Sequence, residues 1–174
     1  MMAAMPDRSP GPASEYARIL ADNARYSADF GHGGLASPPT RRLAVVACMD
    51  ARRTVEAALG LGTGEAHILR NAGGIATEDV IRSLVVSQNL LGTEEVVVVG
   101  HTRCGMLAFR ADDVRRELVE TTGADVDLAF HAFTDLEATV REQVRRIHAH
   151  PWTKDVPVHG LIYDVDTGRL RELV

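Results

Sequence analysis

Leu43-Ala44-Val45-Val46-Ala47-Cys48-Met49-Asp50-Ala51-Arg52 begins as a continuous apolar run and ends in residues able to carry chemistry. A run without polar alternation is the pattern of a strand buried on both faces, as in a parallel sheet. The helical stretch around Thr54 to Leu61 and the strand-like run Ala66 to Leu69 complete a βαβ unit. Thr77 then caps a helix whose Val80, Ile81, Leu84, Val85 and Leu91 recur at three- and four-residue intervals. That helix ends at Gly92, ahead of a third apolar strand, Val96 to Val99. Such strands alternating with amphipathic helices require a sheet covered on both faces and joined by right-handed crossovers. The sequence therefore predicts an α/β fold with a central, mainly parallel β-sheet flanked by helices.

Toward the C-terminus, Asp112 to Thr122 reads as a helix presenting Val114 and Leu118. Thr134 with Glu137 reads as a capping box opening a longer helix, with Leu136, Val140, Val144 and Ile147 on its buried face. Val158 to Val165 and Leu170 to Leu173 flank the turn signal Asp166-Thr167-Gly168 and predict a C-terminal hairpin. In the other direction, Ser14 can cap a helix carrying Tyr16, Ile19, Leu20 and Phe30, and Gly31 to Arg42 has the Gly and Pro punctuation of a linker. Residues 1–13, rich in Pro and small side chains, read as a disordered leader. Residues 14–174 read as a single α/β domain that includes an N-terminal helical arm, 14–34.

The chain has 174 residues, 45% hydrophobic and 25% charged, which suits one domain with a sizeable core and excludes wholesale disorder. Its net charge of -5 and lack of a basic block point away from nucleic acid. The longest apolar runs fall far short of the ~20 residues that cross a bilayer as a helix, so no membrane partner is expected. The N-terminus lacks the apolar h-region of a secretory signal, which places the protein in the cytoplasm. In that reducing compartment two cysteines, Cys48 and Cys104, read as metal ligands or catalytic groups rather than as a disulfide framework.

The first strand runs directly into Cys48, and the third runs into Gly100-His101-Thr102-Arg103-Cys104-Gly105. Both segments thus sit at carboxyl ends of parallel strands, where open α/β sheets bind ligands. Two thiolates and one imidazole suit zinc and leave a fourth tetrahedral position open, whereas a buried apolar Cys48 beside an accidental His101/Cys104 spacing is the bland alternative. If Met49 to Arg52 is extended, Cys48, Asp50 and Arg52 share one side. Asp50 can then occupy the fourth position or, held by Arg52, stand aside and accept a proton; a surface ion pair is the simpler reading. Gly60-Leu61-Gly62-Thr63-Gly64 follows a helix rather than a strand and reads as a helix-terminating loop. Asn71 to Gly74 could bring backbone amides to an anion or to the active site, or simply pack tightly. His148 and His150 complement a helix end before Pro151, and His67 reads as a packed strand residue.

Cys48-Met49-Asp50-Ala51-Arg52 followed by His101-Thr102-Arg103-Cys104 resembles the active-site signature of the β-class carbonic anhydrases. The similarity extends across Arg70-Asn71-Ala72-Gly73-Gly74 and most of residues 14–174, and Gly105-Met106 is most similar to the small archaeal and mycobacterial branch. The resemblance implies a zinc enzyme that reversibly hydrates carbon dioxide to bicarbonate and a proton by zinc-bound hydroxide. It further implies one Zn2+ per chain on Cys48, His101 and Cys104, with Asp50 and Arg52 as the catalytic dyad. Homodimers or dimers of dimers are implied too, with the N-terminal helix lying across the partner subunit. Ala51 stands where larger members frequently have serine, and the Gln and aromatic residues of the plant-type pocket have no clear counterpart. Trp152 lies outside any segment matching the regulatory Trp-Arg-Tyr pocket of some bacterial relatives, so that regulation is not expected. Two other readings remain: hydrolysis of carbonyl sulfide or carbon disulfide at the same site, and a non-catalytic zinc-stabilised protein that binds bicarbonate. The last needs Asp50 as a permanent fourth ligand, and Arg52 opposes it by offering Asp50 a competing partner.

Overall fold

A computed structural model describes residues 14–174, and the leader expected over 1–13 lies outside the described residues. The chain divides into two compact units, one ending at Leu35 and the other spanning Ala36–Val174. In the first, helix α1 (Glu15–Ala28) starts where the Ser14 hydroxyl accepts a hydrogen bond from the Ala17 amide. None of its residues is buried, and Tyr16, Ile19, Leu20 and Tyr26 are exposed. Phe30, expected inside this helix, follows its C-cap Asp29 and packs its ring against Tyr26.

The second unit runs β1 (Leu43–Cys48), α2 (Val55–Leu59), β2 (Ala66–Asn71), α3 (Glu78–Leu90) and β3 (Glu95–His101). A single 3-10 turn (Gly105–Leu107), α4 (Ala111–Thr122), α5 (Leu136–Ala149), β4 (Val158–Tyr163) and β5 (Leu170–Glu172) complete it. The sheet order is β2-β1-β3-β4-β5, parallel through β4 with β5 antiparallel, so the mainly parallel sheet and the C-terminal hairpin are both present.

Strand alternation sorts the core into two faces. Ala44, Val46, Val96, Val98, Val158 and Ile162 meet Val80, Ile81 and Leu84 of α3 and Val140, Val144 and Ile147 of α5. Full burial of each such valine, leucine or isoleucine stabilises by about 1.5–3 kcal/mol. The opposite set, Val45, Ala47 and Val99, packs on Val55 and Leu61 around the short α2, with Ile68, Val97 and Leu161 only partly buried. Thr77 caps α3 through a bond from the Val80 amide, as expected. The cap of α5 is displaced by one residue: the Asp135 carboxylate, not Thr134, accepts from the Ala138 amide. Asp135 wins because its ionised oxygen is the stronger acceptor at the positive end of a helix. Helix α4 buries none of its residues, Val114 and Leu118 included.

Candidate metal centre

β1 and β3 are parallel neighbours, and each ends in a donor residue, Cys48 and His101. Because β2 lies on the far side of β1, successive connections diverge between β1 and β3, which opens a crevice at their carboxyl ends. Arg103 takes a left-handed φ of 51°, turning the chain so that Cys104 enters the 3-10 turn beside the strand ends. The donor atoms of Cys48, His101 and Cys104 all lie within 4.8 Å of one another, and the two sulfurs are 4.0 Å apart. This is the one cluster of three or more potential metal-ligating side chains among the described residues.

The chemistry of this cluster fits a metal. His101 is 1% exposed, and its Nδ1–H donates to the Thr102 carbonyl at 3.0 Å, which leaves the Nε2 lone pair free. Nε2 is buried without a hydrogen-bond partner, a loss of about 1–3 kcal/mol that a cation at the donor cluster would offset. Burial pushes the Cys48 thiol up, but the neighbouring His101 side chain and hydrogen bonds from the Gly73 and Asp50 amides more than compensate and bring it down to about 6. Cys48 is therefore poised as the thiolate, the form that binds metals. Burial pushes the Cys104 thiol up, so it needs the metal itself to deprotonate at neutral pH. Two sulfurs and one neutral imidazole are a zinc donor set of the kind that keeps a coordination position for reaction.

Asp50 stands beside this cluster, its Oδ2 3.8 Å from His101 Nε2. Arg52 grips both carboxylate oxygens, Nε to Oδ1 at 3.0 Å and Nη2 to Oδ2 at 2.7 Å, and Nη2 also donates to the Arg103 carbonyl. That guanidinium holds the Asp50 carboxyl well below the usual carboxylate range. The pairing does not come from strand alternation. The strand ends at Cys48, and a tight turn in which the Arg52 amide donates to Asp50 Oδ1 brings the two side chains together.

A profile of the carbonic anhydrase family matches residues 43–170. The β-carbonic anhydrase 1 of Mycobacterium tuberculosis is 45% identical over 155 residues, covering 88% of this chain and 94% of that protein. The chain belongs to the β-carbonic anhydrase family. The crystal structure of a carbonic anhydrase from Streptococcus mutans superimposes with a TM-score of 0.89 at 43% identity, covering 94% of this chain and 100% of that one. A carbon disulfide hydrolase of Acidithiobacillus thiooxidans is 38% identical over 156 residues, covering 77% of this chain and 78% of its own length.

In this β-carbonic anhydrase chain, two arginines that sequence reasoning did not single out as site residues secure the loop after β1. Arg70 donates from Nε to the Cys48 carbonyl at 3.0 Å and from Nη2 to the Asp50 carbonyl at 2.8 Å. Its place in the Arg70-Asn71-Ala72-Gly73-Gly74 stretch, one register position from Cys48, was the available signal. Arg53 is buried behind the same loop, and nothing in the local pattern marks it. Asn71 closes its own loop by exchanging side-chain bonds with the Ile75 amide and carbonyl. Gly74, at φ 67°, lies so close to β1 that a Cβ would sit 3.1 Å from the Ala47 carbonyl carbon. This loop thus approaches the site through its backbone, as small residues allow. Ala72, Phe109 and Phe133 pack around Cys48, Cys104 and Met106 as an apolar wall.

The remaining features are structural. Gly60, at φ 64°, terminates α2. His67 bonds Ser87 Oγ at 2.7 Å. His150 is the C-cap of α5, and the exposed Trp152 meets it edge to face.

Proposed function

We propose that this chain is a zinc-dependent carbonic anhydrase that interconverts carbon dioxide with bicarbonate and a proton. The observation that carries the reading is the convergence of Cys48, His101 and Cys104 beside an Asp50 whose two oxygens are both engaged by Arg52. Cys48, His101 and Cys104 would hold one Zn2+ per chain. Zinc in such a donor set supplies a Lewis acid that lowers the pKa of water from about 15.7 to about 7.

The protein's own groups then divide the remaining work. Arg52 keeps Asp50 ionised and turned toward the guanidinium, so the carboxylate remains a hydrogen-bond acceptor beside His101, placed to orient a reacting water, rather than a fourth ligand. The Arg52 bond to the Arg103 carbonyl ties this dyad to the turn carrying Cys104. Met106, Phe109 and Phe133 exclude water from one side and offer an apolar surface to a small linear substrate.

Stopped-flow hydration of carbon dioxide on protein of measured zinc content tests this reading, and a rate proportional to bound zinc is expected. Zinc-loaded protein with no rate above buffer would overturn it. The kinship with carbon disulfide hydrolases makes sulfide release from carbonyl sulfide and carbon disulfide the second assay, and turnover of either in preference to carbon dioxide would reassign the substrate.

The same reading extends to assembly and location. The apolar side chains left exposed on α1, together with the partly buried sheet face over α2, support a homodimer or dimer of dimers in which α1 covers a partner subunit. Two free thiols that must stay reduced to bind metal suit the cytoplasm.

A further inference from the structure

Arg53 is a buried cation with no carboxylate partner among the described residues. Its side chain is 6% exposed, and its Nε has no hydrogen-bond acceptor. Burying an unpaired guanidinium is costly, and several kcal/mol of desolvation per ion is typical even after relaxation. A hydrophobic residue of similar volume would fill the same space without that cost. The position of the charge indicates what offsets it.

Nη2 of Arg53 lies 3.4 Å from the Cys48 carbonyl at the end of β1 and 3.4 Å from the Val99 carbonyl in β3. Its guanidinium sits over the Tyr163 ring, 5.8 Å from the centroid, a cation–π arrangement. Tyr163 ends β4 in register with His101, and its carbonyl accepts from the Thr102 amide. One guanidinium therefore touches three neighbouring strands at the end where two of them deliver donor residues. Burial disfavours the Arg53 charge and Arg70 repels it, while the Cys48 sulfur and, more weakly, Asp50 and Cys104 attract it.

We propose that Arg53 is a positioning residue of the metal centre, which rests on the reading of Cys48, His101 and Cys104 as the zinc ligands. It pins the β1 and β3 ends at the ligand spacing and supplies, from the protein side, a fixed positive charge to a donor set with two thiolates. Arg52 and Arg70 do not duplicate it, because Arg52 is committed to Asp50 and Arg70 reaches the Cys48 loop from the β2 side. Groups that orient metal ligands without binding the metal typically change affinity by about 10- to 100-fold when removed.

The test compares full-length wild type with Arg53→Met and Arg53→Lys. Zinc affinity is read by chelator competition, the Co2+-substituted protein by its thiolate-to-metal absorption, and the metal-free protein by its melting temperature. Arg53→Met is expected to weaken zinc binding by about 10- to 100-fold and to alter the Co2+ spectrum, while the metal-free protein melts no lower than wild type. Arg53→Lys, which keeps the charge but loses the planar fork, should recover part of the affinity. Zinc affinity within twofold of wild type in Arg53→Met overturns the proposal. A lower melting temperature of the metal-free protein with an unaltered Co2+ spectrum also overturns it, since that is the result of a purely structural residue. Wild-type protein that takes up no stoichiometric zinc refutes instead the ligand reading beneath it.

Discussion

Cys48, His101 and Cys104 each contribute one donor atom to a cluster no wider than 4.8 Å, and the carboxylate beside it, Asp50, is engaged by Arg52. Cys48→Ser, His101→Ala and Cys104→Ser should each lose most of the bound zinc, as measured by elemental analysis of purified protein. Stoichiometric zinc in all three variants would sink the ligand assignment. The dyad makes a different prediction, because Arg52 touches no ligand. Arg52→Ala frees Asp50 Oδ2, leaves Oδ1 only the residue-52 amide, and should keep zinc while lowering hydration by about 100-fold, the scale of losing one preorganised polar contact. Asp50→Asn should likewise keep zinc and lose activity. In wild type, the rate should rise with pH around a midpoint of about 7, the value typical of catalytic zinc sites. Full activity of zinc-loaded Arg52→Ala across a pH series would contradict the dyad.

Helix α5 seats one face of the sheet, and its start and its tie to β5 can be tested separately. Asp135→Ala removes the bond to the Ala138 amide and should cost about 1 kcal/mol in denaturant unfolding, whereas Thr134→Ala should cost little. Equal losses would return the cap to Thr134. Glu137 reaches across to Arg171 of β5 at 2.6 Å and also pairs with Arg141 of its own helix. Those guanidiniums, Arg171 foremost, hold its carboxyl below the ordinary range. A depressed carboxylate stabilises the fold above its unfolded pKa of about 4.3, and the contribution disappears as pH falls through the lower, folded value. The difference in unfolding midpoint between wild type and Glu137→Gln should therefore be present at neutral pH and vanish in acid. A difference that persists well below that range would show that the pair acts through packing rather than charge.

α1 forms a unit apart from Ala36–Val174 and buries none of its own residues. An amphipathic helix of 14 residues gains little from its backbone alone, so its apolar side chains need a surface to cover. If that surface belongs to a second copy, deleting residues 1–34 should weaken the dimer, with sedimentation velocity showing monomer at concentrations where the full chain is paired. An unchanged dimer after the deletion would rule out the exchanged helix. The metal ligands all lie beyond residue 35, so zinc content serves as the internal check that the truncated protein has folded.

The α/β class, the strand order of appearance and the donor residues at the strand ends were legible in local pattern. An apolar run such as Leu43–Cys48 and a helical period such as that of α3 are imposed by backbone geometry over a few residues, which a linear sequence displays directly. The Asp50 and Arg52 pair was legible in composition but not in cause, because a turn and not an extended strand brings the two together. The adjacency of β1 and β3, which turns two distant motifs into one cluster, depends on where β2 docks. Arg53 and Arg70 were beyond local reading for a related reason. An arginine ordinarily belongs on the surface, and only the packing of three strand ends around Arg53 makes its burial possible. Periodicity is a short-range property of the chain, whereas burial of a charge and convergence of ligands are decided by which segments meet in space.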